Sequence, residues 1–165
     1  MKNLWTPWRY KYIVSDKSGP CIFCLALKSK DDTESLLLHR GKFNIVLLNR
    51  YPYSNGHLMI ASNEHIASPD LSDQDTLSEM TQLMQGCIRV LKENYKPNGF
   101  NIGMNIGRVA GAGIDDHYHL HIVPRWDGDT NFMTVLSEVR LIPQELSEAY
   151  DQLKPLLAKI LSVSR

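Results

Sequence analysis

Three of the six histidines in the chain alternate along one short segment, as His117, His119 and His121. The residues between and after them are aromatic or aliphatic, up to Pro124. Because alternate side chains of a β-strand point to the same face, a strand over residues 117–123 would place the three imidazoles in a row, about 6–7 Å apart. The spacing therefore predicts a strand with imidazoles on one face and an apolar face toward the core.

A row of imidazoles can do chemistry on phosphorus. A neutral imidazole is a good nucleophile, and an N–H on a neighbouring ring can donate to a phosphoryl oxygen or to the leaving group. A covalent phosphoramidate would divide a difficult displacement into two easier ones. A metal site is the alternative for such a row. The glycine-rich loop at residues 107–113 and the following Pro124-Arg125 favour phosphate chemistry, because glycines let backbone N–H groups approach an anion.

The elements around this segment predict an α+β fold with an antiparallel sheet around one long helix. The predicted strands cover residues 43–48, 57–61, 100–106 and 117–123. The predicted helices are a long one, with apolar positions at helical spacing over residues 77–91 and a stop at Lys96-Pro97-Asn98-Gly99, and a second over residues 147–161. Asn55-Gly56 is a strong turn signal between the first two strands, and Ser72 is a candidate N-cap for the long helix. We expect Pro124 to end the histidine strand, because proline cannot donate to a β-ladder.

Composition limits the class of protein and its partners. With 165 residues, 43% of them hydrophobic, the chain is long enough for a domain with its own core. We predict a single domain over residues 1–165, with an N-terminal arm at 1–20 and a C-terminal extension at 126–165. Its 18 basic and 18 acidic residues cancel, and no apolar run approaches the roughly 20 residues of a membrane span. We expect a cytoplasmic protein that binds neither nucleic acid nor a membrane.

Two of the three cysteines, Cys21 and Cys24, have the spacing of half a zinc site or of a redox pair. A reducing cytoplasm argues against a structural disulfide. A redox role is disfavoured, because no strand–CxxC–helix context with a following βαβ pattern is evident. A pair of buried, reduced cysteines stays open as the alternative to a metal site.

These features resemble the histidine-triad family, whose motif is His-φ-His-φ-His-φ-φ, where φ is an apolar residue. Residues 117–123 match this motif completely. A second block, formed by residues 48–52 and 56–60, resembles the nucleoside-binding hairpin of the family. The resemblance covers residues 20–130 and implies one domain with the histidine-triad fold, which has an antiparallel sheet, one long helix and a C-terminal helix. Pro124-Arg125 is similar to the fragile-histidine-triad branch.

The resemblance implies a role for each matching position. His119 would attack the α-phosphate and carry the nucleotidyl group, while His121 would hydrogen-bond the scissile phosphate. His117 would orient the row or bind a metal ion, and His57 would be a fourth histidine buried near the triad. The substrate-binding residues that it implies are Asn49 at the ribose, Asn105 at the phosphate or leaving group, Gly111 and Gly113 in the loop, and Phe23, Ile45 and Leu47 around the base.

The loop before the triad departs from the family pattern. The common Gly-Gln-Ser/Thr is here Ala112-Gly113-Ile114, so a side-chain amide and a hydroxyl are missing. The loop at 107–113, together with residues 126–133 and 4–9, resembles a microbial branch that includes diadenosine tetraphosphate phosphorylases. Water and inorganic phosphate therefore both stay open as the second acceptor.

The resemblance also implies a structural zinc site. Some family members complete such a site with a histidine after the second hairpin strand and with the first triad histidine. The four ligands here would be Cys21, Cys24, His65 and His117. Four protein ligands leave no open coordination position, which disfavours catalytic zinc. We expect no organic cofactor.

Two hypotheses about function follow. The first is an enzyme that cleaves dinucleoside polyphosphates, such as diadenosine tetraphosphate, or related AMP derivatives at the α-phosphate, through a nucleotidyl-His119 intermediate. The second is a catalytically weak nucleotide- or zinc-binding module, which the altered loop keeps open. The resemblance also implies a homodimer. Release of AMP or ADP from diadenosine tetraphosphate, with and without phosphate, would discriminate between the two hypotheses.

Overall fold

A computed structural model of the chain describes residues 19–129 and 144–163, and within these ranges it contains three α-helices and five β-strands. The helices are α1 (Ile22–Lys28), α2 (Gln74–Tyr95) and α3 (Leu146–Val163). The strands are β1 (Leu37–Arg40), β2 (Asn44–Leu48), β3 (Leu58–Ser62), β4 (Gly99–Met104) and β5 (His119–Arg125). Residues 1–18 of the predicted N-terminal arm and residues 130–143 and 164–165 of the predicted C-terminal extension lie outside the described residues. None of the helices in the described part of the chain is long and apolar enough to cross a membrane.

The strands form a single sheet in the order β1-β2-β3-β5-β4, and every neighbouring pair is antiparallel. The α+β class, the antiparallel sheet, the long helix and the C-terminal helix are thereby confirmed. β5 lies between β3 and β4, with His121 opposite Met59 and His119 opposite Ala61. The histidine strand is therefore hydrogen-bonded on both sides, which holds its side chains in a fixed register.

The two faces of the sheet carry separate apolar clusters. Tyr118, Leu120 and Ile122 belong to the larger cluster, which α2 and α3 complete on one face. The histidines alternate with these residues and point to the opposite face. That second face carries a smaller cluster, consisting of Phe23, Ala26, Leu37, Ile45, Leu47, Met59 and Ala61. Since Phe23 and Ala26 belong to α1, this short helix packs on the histidine side of the sheet.

The long helix α2 begins one residue later than the cap signal predicted. Asp73, not Ser72, is the N-cap, and its carboxylate accepts a hydrogen bond from the backbone N–H of Thr76 at 2.7 Å. The Ser72 hydroxyl lies 2.7 Å from the Tyr118 hydroxyl instead. The expectation of a Ser72 cap was wrong because a buried tyrosine hydroxyl needs a partner, and Ser72 supplies it.

The histidine strand is shifted by two residues from its predicted bounds. It runs from His119 to Arg125, so His117 precedes it and Pro124 lies within it. The pairing with β3 ends at Ile122, and the Pro124 carbonyl accepts a hydrogen bond from the Ser54 hydroxyl on that side. Pro124 does not end the strand, because its missing N–H faces a side where the ladder has already stopped.

The turn between β2 and β3 requires its glycine. Gly56 has a φ of +68°, and a Cβ at this position would lie 2.9 Å from atoms of Leu91 and Tyr95 on α2. The turn therefore needs both the left-handed conformation and a close approach to the helix. His57 follows at once and is completely buried. The Asn55-Gly56 turn thus leads directly into a buried histidine that lies beside His121 on β5.

Candidate active site and metal centre

Three imidazoles meet on the α1 side of the sheet. The ring centroids of His119 and His121 lie 4.7 Å apart, and those of His57 and His121 lie 5.1 Å apart. His57 directly precedes β3, and the other two lie on β5. The structure therefore brings the predicted fourth histidine together with two members of the triad. The ring of His117 lies beside Phe23, 5.1 Å from its centroid, and Phe23 in turn contacts His119 at 4.8 Å.

Hydrogen bonding fixes which nitrogen of His119 carries its proton. The Nδ1 atom lies 3.0 Å from the backbone carbonyl oxygen of His117. A carbonyl oxygen can only accept, so Nδ1–H donates and the lone pair of the neutral ring is on Nε2. His119 is buried, at 5% exposure, so its ring is held firmly. The arrangement gives His119 a nucleophilic Nε2.

The neighbouring pair, His57 and His121, is fixed in the complementary way. The backbone N–H of Tyr53 donates to Nδ1 of His57 at 3.1 Å, so the proton of the neutral His57 ring is on Nε2. That Nε2 lies 3.0 Å from Nδ1 of His121 and donates to it. His121 then carries its own proton on Nε2. One ring of the site therefore offers a lone pair and its neighbour offers an N–H.

Burial keeps these imidazoles neutral. It lowers the pKa of His57 to about 3, with further contributions from His121 and His119, and it lowers the pKa of His121 to about 4, with a contribution from His119. Burial also lowers the pKa of His119, against the hydrogen bond to the His117 carbonyl, which raises it. A neutral ring is the form that can attack phosphorus, so the site holds His119 in the state that a nucleophilic role would require at neutral pH.

The low pKa of His57 makes folding stability depend on pH. In the unfolded chain His57 has the ordinary histidine pKa of about 6.5, whereas in the folded chain its pKa is about 3. Below pH 6.5 the unfolded chain therefore binds a proton that the folded chain does not, and the free energy of unfolding falls as the pH drops. We expect His57 to cost about 2 kcal/mol of unfolding free energy between pH 7 and pH 5. Urea unfolding of the wild type and of His57→Gln at both pH values measures this, because titration of other groups cancels in the difference. Equal losses in the two proteins would contradict the prediction.

A second cluster lies at the start of the histidine segment. Cys21, Cys24, His65 and His117 each offer one ligand atom, and these four atoms all lie within 4.8 Å of one another. Nδ1 of His117 is 3.3 Å from Sγ of Cys21 and 3.8 Å from Sγ of Cys24, and Nδ1 of His65 is 3.2 Å from Sγ of Cys24. Tetrahedral zinc with two thiolates and two imidazoles needs sulfur–nitrogen separations of about 3.6 Å. The cluster therefore fits such an ion closely.

The outer nitrogens of both histidines in this cluster have acceptors. Nε2 of His117 donates to the backbone carbonyl of Ser62 at 2.9 Å. Nε2 of His65 lies 3.2 Å from the carboxylate of Asp116. A metal-binding histidine usually donates its second N–H to such an acceptor, which leaves the other nitrogen unprotonated and aimed at the metal. Burial raises the pKa of the Cys21 thiol and so disfavours its thiolate form. A bound cation would stabilise the thiolate and lower this pKa again.

One residue joins the two clusters. The His117 side chain belongs to the cysteine–histidine cluster, while its backbone carbonyl accepts the Nδ1–H of His119. Phe23 makes a second connection, because it lies between Cys21 and Cys24 in the chain and packs on both histidine rings. A metal ion that holds the cysteines would therefore also hold the groups that orient His119.

The residues predicted around the nucleoside lie on the same side of the sheet. Phe23, Ile45 and Leu47 are buried together in the smaller apolar cluster. Asn49 follows β2, and its Nδ2 lies 3.4 Å from Nδ1 of His57, while its Oδ1 accepts the backbone N–H of Tyr51. The structure thus gathers these positions beside the histidines. Their roles toward a base and a ribose stay predictions.

The positions predicted around the phosphate come from the segment between β4 and β5. Asn105 directly follows β4, whose register places Gly103 opposite His121 and so leads Asn105 toward His119. In the glycine loop, the N–H groups of Ala110, Gly111 and Ala112 all donate to carbonyls of the loop itself. The N–H of Gly111 is therefore occupied in this conformation. The roles of Gly111 and of the half-buried Gly113 in substrate binding stay predictions.

Sequence reasoning missed three contributors to the site. Tyr53 donates to His57 through its backbone, the Ser62 carbonyl orients His117, and the Asp116 carboxylate faces His65. Backbone groups carry no signal in residue type, so the first two could not be found from spacing. Asp116 directly precedes His117, and its position beside a predicted ligand was the one signal available.

Comparison with known proteins agrees with this geometry. The model of the HIT domain family matches residues 31–128, more than half of the chain, and the protein belongs to this family. An AP-4-A phosphorylase of Mycobacterium tuberculosis is 36% identical over 157 residues, which cover 90% of this chain and 80% of that protein. An adenosine 5'-monophosphoramidase of Schizosaccharomyces pombe is 27% identical over 105 residues, which cover 64% of this chain and 74% of that protein.

A solved structure shares both the fold and the triad family. It is a zinc-bound histidine triad family protein from Mycobacterium smegmatis, with a TM-score of 0.69 and 25% sequence identity. The match covers 87% of this chain and 96% of that one. The predicted membership of the histidine-triad family is thereby confirmed by sequence and by fold.

Proposed function

We propose that the protein is a nucleotidyl hydrolase or phosphorylase that cleaves dinucleoside polyphosphates, such as diadenosine tetraphosphate, at the α-phosphate. The observation that carries this proposal is the pairing of opposite tautomers in the site: Nε2 of His119 has the lone pair and Nε2 of His121 has the proton. The AP-4-A phosphorylase relative and the phosphoramidase relative support phosphorus as the atom attacked.

The mechanism follows from those two nitrogens. A bond forms between Nε2 of His119 and the α-phosphorus, and the bond from that phosphorus to the bridging oxygen breaks. The N–H of His121 would donate to the phosphoryl or leaving oxygen as negative charge develops there. Water or inorganic phosphate then attacks the same phosphorus, the P–N bond to His119 breaks, and the ring leaves neutral; the proton of an attacking water passes to solvent. Neither step changes an oxidation state, and the first needs the neutral His119 ring, which burial favours by lowering its pKa.

Product analysis tests the proposal directly. Purified protein is incubated with diadenosine tetraphosphate, with and without inorganic phosphate, and nucleotides are separated by chromatography. We expect AMP and ATP with water as acceptor, and ADP and ATP with phosphate. Absence of nucleotide release under both conditions would overturn the enzyme proposal and favour a binding module, the alternative consistent with the occupied N–H groups of the glycine loop.

We also propose that the cysteine–histidine cluster holds a structural zinc ion, with Cys21, Cys24, His65 and His117 as ligands. Its sulfur–nitrogen spacing and its two oriented imidazoles support this, as does the zinc-bound relative. Zinc would supply folding energy and fix α1 against the histidine strand, and it would take no part in the chemical steps. The site requires reduced thiols, which fits a cytoplasmic location.

A homodimer through β4 is the assembly we propose. β4 is the last strand of the sheet within the described residues, so one of its edges offers backbone groups to another chain. Ile102 on this strand and Ile106 just beyond it are each 40% exposed, and Val109 in the following loop is fully exposed. We expect sedimentation at micromolar concentration to give twice the 18.8 kDa of one chain, and Ile102→Asp to shift it toward monomer. A wild type that sediments only as monomer would contradict this assembly.

A further inference from the structure

One residue of the turn between β2 and β3 contacts the His57 ring in two ways. The backbone N–H of Tyr53 donates to Nδ1 of His57 at 3.1 Å. The Tyr53 ring stacks on the same imidazole, with centroids 4.9 Å apart and an angle of 27° between the planes. It also reaches His121, at 6.3 Å between centroids. The backbone thus fixes the proton of His57, and the side chain fixes the plane of its ring.

The turn is itself tied down, so Tyr53 is held in place. The hydroxyl of Ser54 donates to the Pro124 carbonyl on β5 at 2.7 Å. On the other side, Asn49 accepts the backbone N–H of Tyr51 at 2.9 Å. Gly56 packs against α2 within the same turn. Hence Tyr53 is anchored through its neighbours to the two strands and the helix that surround the site.

We propose that Tyr53 is a positioning residue for His121, since it holds His57 in the tautomer and plane that keep the His121 proton on Nε2. A His57 ring in the other tautomer would aim the lone pair of its Nε2 at Nδ1 of His121, and a ring that turned over would leave Nδ1 without a donor. His121 could then carry its proton on Nδ1, and the N–H that the proposed mechanism uses would be lost. Tyr53 acts through His57, not on the substrate.

The two parts of Tyr53 have separate effects. The backbone N–H is present in any variant except proline, so it keeps a bias toward the correct tautomer. The stacked ring adds the restraint on rotation and keeps water from His57, which is completely buried. The titratable groups that face His57 are His121 and His119 on β5 and Tyr53 on its own turn. Without the ring, the His57 imidazole could rotate out of line with the Tyr53 N–H, so we expect mixed tautomers in a sheet that stays folded.

The test compares Tyr53→Leu with Tyr53→Phe, which keeps the ring and serves as the matched control. Long-range ¹H–¹⁵N NMR reports the protonated nitrogen of each histidine, and kcat and KM are measured with diadenosine tetraphosphate. We expect Tyr53→Phe to match the wild type. Tyr53→Leu should show mixed tautomers at His57 and His121, a kcat about tenfold lower, and a KM within about twofold of the wild type, because a misplaced proton donor weakens the chemical step.

Several results would overturn this role. If NMR showed that His57 of the wild type is protonated on Nδ1, the role of Tyr53 would be overturned, even if every variant failed to fold. A Tyr53→Leu protein with wild-type tautomers and kcat would do so as well, and a change in KM alone would make Tyr53 a substrate contact instead. The proposal rests on the proposed function for its kinetic arm only. A wild-type protein that releases no nucleotide would contradict the proposed function. The NMR comparison of histidine tautomers between the wild type and the Tyr53 variants would still decide the role of Tyr53.

Discussion

His119→Gly and His119→Ala are expected to lower kcat by roughly 10⁴-fold or more, while nucleotide binding survives. The reason is that Nε2 of His119 carries the lone pair that attacks in the proposed mechanism. The Nδ1–H of His119 donates to the His117 carbonyl, and burial lowers the pKa of His119 so that its ring stays neutral. His121 cannot replace it, since the lone pair of His121 is on Nδ1 and accepts from His57. Steady-state kinetics and calorimetric titration with AMP measure the two quantities.

The control for this experiment is His39→Ala. His39 lies on β1, at the opposite edge of the sheet from β4, and the mechanism makes no use of it. We expect this variant to keep kcat within about twofold of the wild type, as is usual for substitutions away from the machinery. A His119→Gly protein with wild-type turnover would remove the proposed nucleophile.

Loss of the proposed zinc ion is the second large effect that we expect. Cys24→Ser, or treatment with a strong zinc chelator, should remove about one equivalent of zinc per chain and lower the melting temperature by roughly 10 °C, because a ligand at a thousand times its Kd contributes about 4 kcal/mol. Turnover should fall as well, since the proposed ion would fix the helix that carries Phe23 and the side chain of His117. Metal analysis by mass spectrometry and thermal melting measure the effect.

Cys87 provides the matched control for the cysteine substitution. It is completely buried on α2, and burial raises its pKa to about 12, so it carries a neutral thiol in the core. Cys87→Ala should cost some stability through a small cavity, yet keep the full metal content. Equal zinc content in Cys24→Ser and the wild type would show that the cysteine–histidine cluster is not the zinc site.

Much of the fold could be predicted because local patterns and tertiary structure agree. The alternation around His119, the Asn55-Gly56 turn and the apolar spacing along α2 each have the period of the element that forms. The spacing also predicted which face each histidine occupies, because that depends only on strand parity. Family resemblance grouped His57 with the triad and His65 with the cysteines, and the structure places His57 beside His121 and His65 beside Cys24.

The rest depended on contacts between distant segments. Ser72 is not the N-cap because its hydroxyl hydrogen-bonds the hydroxyl of Tyr118, a residue distant in sequence. Pro124 could remain inside β5 because β3 is shorter than its neighbour, a fact of register that residue types do not reveal. The tautomers of the histidines are set by backbone groups of Tyr53 and His117. The single-domain organisation over residues 1–165 stays a prediction.

The stereochemical course at the α-phosphorus tests the central claim most directly. A substrate made chiral at that phosphorus by sulfur and oxygen-isotope labels is turned over, and the configuration of the released nucleotide is determined. Attack by His119 followed by attack of the acceptor gives two inversions, so the account predicts overall retention. Inversion would mean that water or phosphate attacks the substrate directly, with no nucleotidyl-histidine formed.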